Sequence, residues 1–280
     1  MNSLDDFNAA LDSGLLATYS CEHATSLLNY FADHVDNDIQ TDLFYELMAR
    51  YAYISKHLEV LVAEKVKALT ASQTATIHAL VKAAEARDDD TGAHVERTAS
   101  YCKLIAQQLW TNGLYKDIVD EHYAEQIAMA SPLHDVGKIG IPDAILLKPG
   151  RLEKDEFAVM KTHATIGYDT LSGVEGLTPE NTFLKFGMEI SQYHHEKWDG
   201  SGYMKGLAGE EIPLSARIMA LADVYDALRS KRIYKEPFTH DRTVEIITEG
   251  RGSHFDPVIV DVFLANHQQF NAIFERLSKV

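Results

Sequence analysis

EEIPLSARIMALADVYDALRS, residues 210–230, reads as an apolar helix opened near Pro213 and interrupted by two carboxylates, Asp223 and Asp226. The helical pattern recurs in TASYCKLIAQQLW at 98–110, YAEQIAMASPLHDVGKIG at 123–140 and DPVIVDVFLANHQQF at 256–270. Pro132, Pro142, Pro149, Pro179, Pro213, Pro237 and Pro257 punctuate the loops or helix starts. Strand-like alternation is almost absent. The expected fold is an all-α bundle, an architecture that builds metal sites from inward-facing side chains of several helices.

Towards the N-terminus the chain divides into two further parts. Residues 1–56 carry Leu27, Leu28, Phe31 and Val35, then Leu43, Phe44, Leu47, Met48 and Tyr51, at helical spacing. We expect a small helical N-terminal region with a sensory or dimerisation role, and no doubly wound receiver-type sheet. Residues 57–85 form a linker helix in which Leu58, Val62, Val66, Leu69, Thr76 or Ile77, Leu80 and Ala84 approach three-and-four spacing, interrupted by Gln73. This stripe suits either a two-stranded coiled coil in a homodimer or a helix packed on its own domain. Residues 86–280 make up the third part.

Composition excludes several classes. With 46% hydrophobic and 24% charged residues over 280 positions, the chain has the balance of a soluble globular protein. A formal net charge of -16 argues against binding nucleic acid or an anionic membrane through a basic face. Cys21 and Cys102 have no partner spacing, so each is expected to be a small buried hydrophobe. The segment MNSLDDFNAALDSG lacks a secretory pattern, and no run of about 18 apolar residues is present to span a bilayer. A cytoplasmic location is the expectation.

The chemistry resides in Asp90, His94, His134, Asp135, His163, His194, His195 and Asp223, a nitrogen and oxygen donor set without cysteine. Helix neighbours point about 100 degrees apart, so adjacent His134 and Asp135 both reach an inward site only near a helix end or beside two metals. A lone His-Asp dipeptide is usually a surface pair. Apolar Leu133 and Val136, followed by Gly137-Lys138, favour a site, with Asp135 as the bridge. His194-His195 precede the glycine-rich loop DGSGYMKG and suit two ligands delivered at a helix end. Asp223 lies in a core-facing run, where an unpaired carboxylate costs several kcal/mol. Asp226, three residues on, could share its face. Asp90 and His94, four apart, share a face only if the helix has begun there.

HDVGKIGIPDAILLKPGRL at 134–152, His163, HHEKWDGSGYMKGLAGEEIP at 194–213, SARIMALADVYDAL at 215–228 and SKRIYK at 230–235 together resemble the HD-GYP domain of the HD phosphohydrolase superfamily. The likeness extends from about Ile77 to Leu264. It implies an all-helical domain in which His94, His134, Asp135 and Asp223 serve one divalent metal, and His163, His194 and His195 serve its neighbour, with Asp135 bridging. Iron or manganese is expected, and nickel or zinc suits the same donors. Lys138 matches a lysine close to the phosphate. Arg217, Arg232 and Lys235 match positions associated with the phosphates or guanine, and Tyr203 matches the substrate-side loop. Two positions depart from the pattern. Met204 stands where the family has proline, leaving the loop freer. Asp90 stands where three-metal members carry glutamate, and aspartate is one methylene shorter. Two metals are expected, with a third depending on Asp90.

The implied activity is hydrolysis of cyclic di-GMP to linear pGpG, and onward to GMP. Two ions about 3.5–4 Å apart can hold a bridging hydroxide for in-line attack on phosphorus. Lys138 and Asp135 are the expected catalytic pair, and Lys138, with Arg217 or the Arg232/Lys235 pair, offsets phosphate charge. A diguanylate cyclase domain is an expected protein partner. Three alternatives stand beside this one: a preference for cyclic GMP-AMP, a cyclic dinucleotide sensor or docking module with weak turnover, and a mononucleotide phosphohydrolase.

Overall fold

A computed structural model describes residues 37–85, 93–175, 182–231 and 236–278. Residues 1–36, and with them most of the expected N-terminal region, lie outside the described residues, as do Asp90, Arg232 and Lys235. The described chain is all-α: α1 (Asn37–Glu85), α2 (Ala93–Thr111), α3 (Tyr123–Ala130), a 3-10 segment (Ser131–Gly140), α4 (Asp143–Leu146), α5 (Lys154–Lys161), α6 (His163–Glu175), α7 (Thr182–Tyr193), a 3-10 turn (Gly209–Glu211), α8 (Leu214–Arg229), α9 (His240–Glu249) and α10 (Pro257–Leu277). Among the described residues the only β pairing is an isolated bridge between Arg251 and Phe255.

The chain forms two compact units, 1–71 and 72–280. In the first, Tyr51, Ile54, Leu58, Val62, Val66 and Leu69 lie three or four residues apart along α1, and all six are exposed. No helix among the described residues is long and apolar enough to cross a membrane.

The second unit is built around α8. Leu214, Ala216, Ile218, Met219, Leu221, Ala222 and Tyr225 are all buried, so this helix is covered around most of its circumference. α2, α7, α9 and α10 pack against it. Ile105, Leu109, Ile127, Ile190, Ile218 and Ile259 are wholly buried, and each such side chain contributes about 2 kcal/mol through removal from water. Tyr101, Tyr225, Phe263 and Phe270 form an aromatic centre, with Tyr101 stacked on Phe270 at 4.9 Å between ring centroids. Cys102 is free and buried in this core, as expected of a small hydrophobe.

Local signals set the helix starts. Asp256 caps α10 by accepting a hydrogen bond from the Val258 amide, with Pro257 at the first position. Thr239 caps α9 through the Arg242 amide. Glu153 and Glu156 form a capping box at α5. Pro132 opens the 3-10 segment that continues α3. A smaller apolar cluster of Val81, Val95, Leu133, Leu171 and Met188 packs the start of α2 against the 3-10 segment, α6 and α7. That packing gathers the helix ends that carry the site.

Candidate metal centre

His94 is the second residue of α2, His134 and Asp135 lie in the 3-10 segment, and His163 begins α6. His194 and His195 follow the last residue of α7, and Asp223 lies within α8. These seven converge as two donor groups, His94 with His134 and Asp223, and Asp135 with His163, His194 and His195. Within each group one donor atom per residue lies within 4.8 Å of all the others. Asp135 faces both: its Oδ2 is 3.3 Å from His134 Nε2, and its Oδ1 is 3.3 Å from His163 Nε2 and 3.8 Å from His194 Nε2.

The tautomers follow from the partners on the far side of each ring. A backbone carbonyl only accepts, so Nδ1 donates in His134 to the Ser131 carbonyl at 2.9 Å, in His163 to Met160 at 2.8 Å and in His194 to Ile190 at 2.8 Å. His94 Nδ1 donates to Asp226 Oδ2 at 2.8 Å. Each ring, in its neutral form, therefore turns an Nε2 lone pair towards the centre. His94 Nε2 and His134 Nε2 face one another at 3.4 Å, and Asp223 Oδ1 is 3.8 Å from His94 Nε2. Two acceptors opposed at that distance need a cation or a proton between them. His163 Nε2 and His194 Nε2 are buried without a hydrogen-bond partner; both approach Asp135, but not in bonding geometry. Orphaned buried nitrogens beside a carboxylate are what divalent ions would satisfy, so the residues present fit the metals that the donor chemistry implies.

The electrostatics agree. Burial pushes His194 down to about 3 and His195 down to about 2, so both are neutral and ready to ligate. Burial also opposes charge on His134, but the Asp135 carboxylate and its hydrogen bond, aided by Asp223, outweigh it and lift the ring to about 9. Burial would likewise raise Asp135; Lys138 and the surrounding imidazoles hold it well below the ordinary carboxylate range instead. Below about pH 9 the His134 ring must give up a proton before it can bind metal. Chelator-competition titrations should therefore show Mn²⁺ affinity rising by about tenfold per pH unit between pH 6.5 and 8.5, one proton being released. A flat profile would contradict this assignment.

Lys138 Nζ is 2.9 Å from Asp135 Oδ2, at the edge of the centre. The Tyr203 ring lies 4.7 Å from the His195 ring in a stacked arrangement, with Lys161 Nζ 5.5 Å from its centroid. The loop carrying Tyr203 is held despite Met204. Buried Glu196 accepts the Lys205 and Gly206 amides at 2.6 and 3.0 Å through one oxygen, and the Tyr203 amide donates to the His195 carbonyl at 3.2 Å. Arg217, matched by resemblance to a phosphate or guanine contact, lies within α8. It is buried, its Nη1 donates to Asp256 Oδ2 at 2.7 Å, and its guanidinium lies over the rings of Tyr115 and Trp198. Sequence reasoning passed over Arg97 and Glu196, and left Asp226 as an alternative to Asp223. The available signals were the three-residue spacings of Arg97 from His94 and of Asp226 from Asp223.

The HD domain family model matches residues 59–259. A probable cyclic di-GMP phosphodiesterase of Vibrio cholerae serotype O1 is 48% identical over 223 residues, covering 79% of this chain and 51% of that protein. A cyclic di-GMP phosphodiesterase of the same organism is 52% identical over 190 residues, 68% of this chain and 39% of that one. The cyclic di-GMP phosphodiesterase response regulator RpfG of Xanthomonas campestris pv. campestris is 47% identical over 203 residues, 72% and 50% of the two chains. This chain thus spans about half the length, or less, of the curated relatives it matches.

Proposed function

The chain belongs to the HD domain family, in its HD-GYP branch, and from that premise we propose that it hydrolyses cyclic di-GMP, opening the ring to linear pGpG. The observation that carries this proposal is Asp135, whose two carboxylate oxygens each face a different group of histidines. That is the arrangement a binuclear phosphodiesterase needs. The names of the three relatives favour cyclic di-GMP over cyclic GMP-AMP.

Divalent ions bound there supply Lewis acidity towards the phosphodiester and a water of lowered pKa. His94, His134 and Asp223 would hold one ion and His163, His194 and His195 the other, with Asp135 shared. Iron or manganese suits these donors first, then nickel or zinc, and two ions are the complement we assign. The protein's own contribution is positional and electrostatic. Lys138 places a cation beside Asp135, where it offsets charge on the phosphate oxygens. Tyr203 offers a flat ring against His195 for the nucleotide side of the substrate. Arg232 and Lys235 are the further phosphate or guanine contacts. The same proposal includes two partners: a second copy through residues 57–85 of α1, and a diguanylate cyclase domain at the loop around Met204.

The test is to incubate Mn²⁺- or Fe²⁺-loaded protein with cyclic di-GMP and separate the products by chromatography. Linear pGpG should appear and should be suppressed by a chelator. Lys138→Met should keep its metals and lose about a hundredfold in kcat. Tight binding of cyclic di-GMP without product would make the chain a sensor and end the proposal, and so would preferential turnover of cyclic GMP-AMP.

A further inference from the structure

Three of the inward-facing histidines are oriented by their own local backbone, since the carbonyls that take their Nδ1 protons lie three or four residues earlier in the chain. His94, the second residue of α2, is oriented from across the fold. Its Nδ1 proton goes instead to Asp226 Oδ2 at 2.8 Å, on α8 and 132 positions away in sequence.

Asp226 is fully buried and held from several sides. Arg97, one turn after His94, donates Nε to Asp226 Oδ1 at 2.6 Å and Nη2 to Oδ2 at 2.7 Å, the two-pronged geometry that fixes a carboxylate in plane. Ser230 Oγ adds a third contact at 3.2 Å to Oδ2. The guanidinium of Arg97 lies over the Phe274 ring of α10 at 5.1 Å, so the clamp joins α2, α8 and α10. Asp226 sits behind the ring, on its Nδ1 edge, while Asp223 lies 3.8 Å from Nε2 at the front.

We propose that Asp226 is a positioning residue for the first ion: it fixes His94 as the Nδ1–H tautomer and aims its Nε2 at the group formed with His134 and Asp223. Arg97 is the clamp that immobilises the carboxylate. This rests on assigning those three residues to a metal, but not on the identity of the substrate. A carboxylate behind a ligating imidazole keeps the bonding lone pair forward, and its loss typically weakens metal binding by about 10–100-fold.

The full chain is labelled with ¹⁵N-histidine and its ring tautomers are read by long-range proton–nitrogen correlation without metal; Mn²⁺ binding is then measured by calorimetry. In the wild type, His94 should carry its proton on Nδ1. Asp226→Asn should move that proton to Nε2 and weaken one of two Mn²⁺ sites by about 10–100-fold while the other keeps its affinity. A folded Asp226→Asn chain with wild-type affinity at both sites overturns the proposal. If that variant fails to fold, the wild-type spectrum decides: a neutral His94 protonated on Nε2 overturns it, and one protonated on Nδ1 supports it. A wild-type chain that bound no Mn²⁺ would defeat the phosphodiesterase assignment separately, with the tautomer still deciding the role of Asp226.

Discussion

Asp135→Asn is expected to reduce hydrolysis of cyclic di-GMP by about a thousandfold or more, the loss of several kcal/mol of metal-derived stabilisation in the transition state. The substitution changes little in volume but removes one acceptor oxygen and one negative charge. Oδ1, 3.3 Å from His163 Nε2, and Oδ2, 3.3 Å from His134 Nε2, serve opposite sides of the centre. An amide can present an oxygen to only one of them. Its NH₂ group would then face either the lone pairs that should meet a cation or the Lys138 ammonium now 2.9 Å from Oδ2. Either rotamer leaves two positive ions with less compensation in a buried site. Metal content by mass spectrometry should therefore fall from about two ions per chain towards one or none. Lys138→Met touches the same carboxylate without supplying a ligand, so it separates loss of metal from loss of charge stabilisation. Full metal content with near wild-type turnover in Asp135→Asn would sink the bridging role.

The helices and the donor residues were legible because both leave strong marks on sequence. Asp223 inside IMALADVYDAL, and His134-Asp135 between Leu133 and Val136, place polar groups in apolar stretches, where burial without a partner is costly. The adjacent pairs are explained by where elements end: α7 stops at Tyr193, delivering His194 and His195 together, and His134-Asp135 sit in a 3-10 segment with three residues per turn. The division of labour between Asp223 and Asp226 was not legible. Both lie on one face of α8, and what separates them is Arg97, 129 positions away. The surroundings of Arg217 were hidden for the same kind of reason. Its place in the motif suggested a phosphate contact, but its buried partner Asp256 is visible only once α8 and α10 pack together. Pattern identifies which side chains turn inward, and the third dimension decides what each one meets.

Gly137→Ala should be the most damaging single methyl group in the fold, at a cost of about 3 kcal/mol or more. A Cβ at Gly137 would lie 1.9 Å from the His163 carbonyl oxygen and 2.5 Å from the Gly167 amide nitrogen. Both are backbone atoms of α6, so no rotamer change can relieve the contact. The 3-10 segment and the helix would have to move apart. A Cβ at Gly167 would in turn meet Ser191 Oγ of α7 at 2.1 Å, so α6 has little room to retreat. The displacement would separate Asp135, two residues before Gly137, from His163, whose carbonyl is the clashing atom. A shift of about 1 Å at reacting groups can cost a hundredfold in rate, so activity and metal content should fall together with stability. Gly173→Ala is the control. It lies on exposed α6 surface with nothing within 4 Å of its Cβ position. There the substitution should be neutral or stabilising by about 0.5–1 kcal/mol, because alanine has less backbone freedom to lose in a helix. Urea denaturation of the two variants, paired with metal analysis, separates close approach at the site from a general intolerance of side chains on α6. A Gly137→Ala chain with the wild-type denaturation midpoint and its full metal content would show that the 3-10 segment does not hold the two donor groups together.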